Sequence, residues 1–226
     1  MMKKLMMLAN VAVWASAAPA ADPAHPTVVE LYQSQGCSSC PPADVVVNAL
    51  ADRPDVLALS FAVTYWDRLG WKDTFGDPAY TRRQADYAGA SHQFSISTPE
   101  VIINGRGAVV GNRKGEVDAA IARLDRGSQG PEIVSDGKSV VVRAGRGNGT
   151  LWLVRYDPRT IAVPIGAGEN GGRTIPHRNI VRQLVALGSW RGSPARFILP
   201  AAPRGLRTAF ILQAGKGGPV IASRRL

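Results

Sequence analysis

The chain has 226 residues, 45% of them hydrophobic and 19% charged, with a formal net charge of +10. The apolar share is that of a globular protein. The charge looks like a nucleic-acid signal until it is divided: residues 27–126 hold ten Lys/Arg against twelve Asp/Glu, a net of −2, and residues 127–226 hold fifteen against four, a net of +11. The basic residues of the second half are scattered, without interleaved aromatic stacking platforms, which argues against nucleic acid as a partner. They leave peripheral contact with an anionic surface as an expectation for that half.

In chain order, "MMKKLMMLANVAVWASAAPAADPAHP" reads as a secretory leader. Lys3 and Lys4 form the positive start, an apolar stretch runs from Leu5 to Ala18, and small residues set a cleavage point near Ala20/Ala21. The stretch is short for a stable span, and no later apolar run reaches that length, so an exported, periplasmic protein without a transmembrane segment after leader removal is expected. Residues 27–33, "TVVELYQ", predict a strand that ends in "QGCSSCPPAD", which carries the only two cysteines, Cys37 and Cys40. Val46, Val47 and Leu50 predict a helix over 43–52, starting near Cys40 with a proline in its first turn. "DVLALSFAVTYW", 55–66, predicts a strand buried on both faces. The aromatic insertion "TYWDRLGWKDTFGDP", 64–78, either packs its rings over the sheet or exposes them as a groove. A helix over 77–90, an Asn-Gly hairpin over 97–112 and an amphipathic helix over 114–126 follow. "RGSQGPE" then marks a linker where the charge changes sign. The expected organisation is a leader over 1–20, a first domain over 27–126 and a smaller, mostly antiparallel β domain over 131–226.

The order β-α-β-α-β-β-α, with a CxxC between the first strand and first helix and Thr98-Pro99 opening the third strand, resembles the thioredoxin fold. "GCSSCPPAD", "YWDRLGWKD", "STPEVIING" and "GENGGRTIPHRNIV", in this order, resemble exported bacterial proteins of the family called domain of unknown function 1223. That resemblance implies an α/β thioredoxin-like domain followed by a β part, and no settled activity. The resemblance to the thioredoxin fold implies a cis bond at Thr98-Pro99, which would present the Thr98 backbone to an extended partner chain.

The CxxC admits three chemistries. In thiol–disulfide exchange the thiolate attacks, and a cysteine near a helix N-terminus gains acidity from free amides. Cys37 is then the exposed nucleophile and Cys40 the resolving thiol, with no cofactor and with protein or small-molecule thiols and disulfides as partners. Ser38 and Ser39 bring no charge, and Asp44 would oppose the thiolate if it pointed that way. A structural staple is the second reading, but a four-residue loop contributes only about 2 kcal/mol. A copper-binding, metallochaperone-like site is the third, with His92 as the better third ligand; a closed zinc site lacks the second ligand pair. Trp66, Thr98 and Pro99 are expected to bind substrate. The glycine-rich tip "GAGENGG", through Glu169, Asn170 and Arg173, is expected to fold over the cysteines.

Overall fold

A computed structural model describes residues 20–226, so the expected leader lies outside the described residues apart from Ala20. The first half contains β1 (Thr27–Gln33), α1 (Pro41–Leu50), β2 (Val56–Ala62), α2 (Pro78–Ala90), β3 (Glu100–Ile103), β4 (Gly107–Val110) and α3 (Lys114–Arg123). All seven residues of β1 and of β2 are buried, which is why their sequences run apolar instead of alternating. They pair in parallel from Thr27↔Val56 to Gln33↔Ala62, and β3 lies antiparallel on the other edge of β1. Val29, Leu31, Val101 and Ile103 pack against Ala43 and Val47 of α1 and Val117 and Ile121 of α3. Val28, Tyr32, Leu57 and Phe61 pack with Tyr80 and Tyr87 of α2 in a second cluster. Alternate strand residues thus serve separate helix layers.

Two prolines set the start of α1. Pro41 and Pro42 lack amide hydrogens, a defect without cost in a first turn. Cys40 is the residue that caps it, its carbonyl accepting from Ala43 N at 2.8 Å and Asp44 N at 3.0 Å. The Asn104-Gly105 turn between β3 and β4 takes positive φ at both residues, 49° and 59°, as the Asn-Gly pair predicts.

The second half contains β5 (Ile133–Ser135), β6 (Ser139–Val142), β7 (Gly149–Asp157), β8 (Ile161–Pro164), β9 (Thr174–His177), β10 (Ile180–Trp190), β11 (Ala195–Ile198), β12 (Arg207–Gln213) and β13 (Val220–Arg225). Four of these strands extend the first sheet, giving eight strands in the order β13-β12-β7-β10-β2-β1-β3-β4. The seam is short: Ile180 of β10 sits beside Ser60 of β2. Asn179 secures it, with Nδ2 donating to Ala58 O at 2.8 Å and its own carbonyl accepting from Ser60 N at 3.1 Å. Strands β11-β6-β5 form a small antiparallel sheet closed over Leu151, Trp190 and Phe210, and β8-β9 form a separate hairpin. The fold is mixed α/β, with one large mixed sheet and two small antiparallel ones. Among the described residues no helix is long and apolar enough to cross a membrane.

An ion pair lies inside the larger core. Arg83 of α2 donates to Glu30 of β1 at 2.7 and 2.8 Å and to Gln213 of β12 at 3.0 Å, and the Tyr32 and Tyr87 hydroxyls donate to the same carboxylate at 2.7 Å. Burial alone would raise the Glu30 pKa; the guanidinium and the two hydroxyls outweigh it and hold the carboxyl below its usual range. One network therefore ties a strand of the first half, a helix and a strand of the second half.

Candidate functional site

Cys37 and Cys40 form a disulfide, with Cα atoms 5.4 Å apart, across the loop that leads from β1 into α1. Three layers hold this loop. Beneath it, Asp73 of the aromatic insertion accepts from Gln35 N at 2.7 Å, and the Gln35 side chain is fixed by Trp71 Nε1 at 2.9 Å and Thr74 Oγ1 at 2.8 Å. Beside it, Trp66 lies against Gly36, where an added Cβ would stand 3.5 Å from the Trp66 Cβ. Trp66 Nε1 donates to Thr98 Oγ1 at 2.8 Å. The Thr98–Pro99 bond is cis, and α2 fixes the approach to it through Gln84 Nε2, which donates to Ser97 O at 2.7 Å. Above it lies the tip of the β8–β9 hairpin. Asn170 Nδ2 donates to Gln35 O at 2.9 Å and Cys37 O at 2.8 Å, and Glu169 Oε2 accepts from Ser38 N at 3.0 Å. The Ser38 hydroxyl, and after it this amide, hold the Glu169 carboxyl below its usual range.

The structure thus brings Cys37, Cys40, Trp66 and Thr98 into one connected group, with Pro99 adjoining. The glycine-rich tip lies over the cysteines as its sequence led us to expect. One expectation is corrected: Cys37 is not at the surface. Both cysteines are 0% exposed, and the tip lies on the backbone of the loop that carries them. Ser38 and Ser39 remain exposed, and Ser39 Oγ lies 3.4 Å from Cys37 Sγ.

A family described as "Protein of unknown function (DUF1223)" matches residues 28–213. The chain belongs to this family. It is similar to a protein from Agrobacterium tumefaciens of known crystal structure, at 28% identity and a TM-score of 0.74, over 92% of this chain and 96% of that one. It also matches HBP35 of Porphyromonas gingivalis at 11% identity and a TM-score of 0.52, over 90% of this chain and 75% of that one, a likeness of fold alone. Among curated proteins none matches the chain.

Other site-forming residues of this DUF1223 chain carry no spacing signal in the sequence. Asp44, in the first turn of α1, is buried and faces inward, where His177 Nδ1 stands 3.4 Å from its Oδ1. At that length the contact is electrostatic more than a formed hydrogen bond. His177 is fully buried at the end of β9, edge-on to Phe75 with ring centroids 5.8 Å apart. Burial raises the Asp44 pKa, and His177 only partly offsets it. A carboxylate whose folded pKa is raised binds its proton more tightly folded than unfolded, so stability falls as pH rises from its unfolded value through its folded one. Asp44→Asn should therefore stabilise the DUF1223 fold at pH 7 by on the order of 1 kcal/mol, with the gain fading toward pH ~4. Urea unfolding at both pH values measures this; an equal effect at both would refute it.

The rings of the insertion are half-buried and used structurally. Tyr65 and Trp66 pack on the main core, and Trp71 and Phe75 on Val163, Ile165 and Ile175. His92 is exposed in the turn after α2, with φ of 56°. Among the described residues no group of three or more His, Cys, Asp or Glu side chains is placed to share a metal ion.

Proposed function

We propose that the chain is an exported, thioredoxin-like thiol–disulfide oxidoreductase that works through the Cys37–Cys40 couple. The observation that carries this reading is the position of the disulfide. It closes the loop between a buried central strand and the first turn of a helix, and Trp66 ties that loop to Thr98 beside a cis-proline. The order β1-α1-β2-α2-β3-β4-α3 supports the thioredoxin-like reading of the first half.

In the reduced state, the Ser39 hydroxyl, 3.4 Å from the sulfur, and the positive end of the α1 dipole favour a thiolate at Cys37. That thiolate attacks a substrate disulfide, a mixed disulfide forms, and one substrate sulfur leaves. Cys40 then attacks Cys37 Sγ, restores the internal disulfide and frees the second substrate sulfur. Run backward, the same steps oxidise a dithiol.

The sealed sulfurs favour a second reading, a binding module whose CxxC is a clip. The reduction potential of the couple separates the two. A value above about −270 mV, measured by equilibration with glutathione buffers, is expected for an exchanging couple; a value well below about −300 mV would leave only the clip.

A further inference from the structure

The tip that covers the disulfide meets the cysteine loop through backbone groups. Asn170 is 0% exposed, and its side-chain amide donates to the carbonyls of Gln35 and Cys37, while the Glu169 carboxylate accepts from the Ser38 N–H. Carbonyls and an N–H following one another along a strip of chain are what an extended polypeptide satisfies with its own N–H and C=O groups. The Asn170 amide is chemically a copy of a peptide group. Arg173 Nη1 holds Asn170 Oδ1 at 2.9 Å, so the amide is presented in a fixed orientation.

The tip is also built to lift. Its neck is closed by Ile165 N to Arg173 O and Gly172 N to Ile165 O, both 2.8 Å. Beyond the neck, Gly166 and Gly168 lie flat on Trp71, where a Cβ at 166 would meet the ring at 2.9 Å. Gly168 and Gly172 take positive φ, 74° and 80°. Apart from Asn170, the residues from 166 to 173 are exposed, so little apolar surface holds the tip down.

We propose that residues 166–173 are an internal stand-in for substrate, and that the substrate is an extended, cysteine-bearing polypeptide segment that displaces them. This rests on the redox reading of the site. A polypeptide replaces the lost hydrogen bonds with its own and so promotes opening. A small thiol offers no such groups and must wait for the tip to open by itself. Once the tip is lifted, a thiolate of a dithiol segment attacks Cys37 Sγ. A sulfur–sulfur bond forms between them, the Cys37–Cys40 bond breaks, and Cys40 leaves as a thiolate that takes a proton from water. The segment's second thiolate then attacks its own sulfur in the mixed disulfide and expels Cys37, which is protonated in turn. The segment loses two electrons and the couple gains them.

The test follows reduction of the oxidised full chain by dithiothreitol and by an unstructured decapeptide with two cysteines, read as the mass shift after alkylation. In the native chain the dithiothreitol rate should level off at the opening rate, and the peptide should react faster at equal thiolate concentration, by on the order of tenfold. Asn170→Ala should remove the plateau and raise the dithiothreitol rate by on the order of tenfold, the equivalent of one or two hydrogen bonds. Glu169→Ala, at an exposed position that leaves the fold intact, should do the same to a smaller degree. Both variants should speed hydrogen exchange at the Ser38 amide while the β1 amides stay protected. A native dithiothreitol rate that is linear and equal to that of Asn170→Ala overturns the gate. A peptide no faster than dithiothreitol overturns the substrate class. A potential too low for exchange would end the redox reading instead, and it is measured independently of these rates.

Discussion

Cys40→Ser is expected to stop turnover at the mixed disulfide. From the reduced state, Cys37 still has the start of α1 and the Ser39 hydroxyl beside it, so it still attacks a substrate disulfide. Nothing then expels the bound sulfur, because the serine hydroxyl is a poor nucleophile toward a disulfide. The variant should accumulate a stable adduct of one substrate thiol, seen by intact mass, with turnover lost by on the order of 10³-fold. Cys37→Ser should lose turnover to the same extent and form no adduct, since the tip's hydrogen bonds fall on Gln35, Cys37 and Ser38 and its lifting frees position 37. The fold should survive both changes, because closing so short a loop contributes only about 2 kcal/mol. Turnover by Cys40→Ser within threefold of the native chain would sink the two-cysteine mechanism.

The second large effect concerns stability. Arg83→Met leaves the Glu30 carboxylate in the core with two tyrosine hydroxyls and no cation. Removing one partner of a buried pair costs about 3–5 kcal/mol, more than the pair contributes over an apolar replacement, because the remaining charge is uncompensated. Acid should act in the same direction on the native chain. Glu30 has a folded pKa below its unfolded value, so its contribution is present above about pH 4.5 and is lost as pH falls through the folded pKa. In Arg83→Met the Glu30 pKa should rise instead, so the variant should lose much of its acid sensitivity. Urea midpoints at pH 7 and pH 4 measure both effects; a loss under 1 kcal/mol at pH 7 would show that the network contributes little.

The elements of the first half were legible because each has a local cause. The strand at 27–33 has β-branched residues ending at a turn, the helix at 41–50 has prolines where a first turn tolerates them, and Asn104-Gly105 takes the backbone shape that a tight hairpin needs. The DUF1223 membership was legible from four short motifs whose order is specific. The glycine-rich tip was legible as a cover because Glu169 and Asn170 stand among residues that leave the chain free to bend.

Two things were not legible: the join between the halves and the pairing of buried polar groups. Strand β10 runs for eleven residues but touches β2 at its first pair alone, so no pattern in either segment marks the other as its neighbour. Asp44 and His177 are 133 positions apart, and a lone imidazole gives no hint of which carboxylate it will face.

The sequence by itself determined which two sulfurs the site can use, since the chain has only two cysteines and their spacing places both at the mouth of one helix. Tertiary structure alone decided their accessibility. Burial is a property of what packs around an atom, and what meets the Cys37 backbone is Asn170, 133 positions away on the tip of a hairpin in the second half.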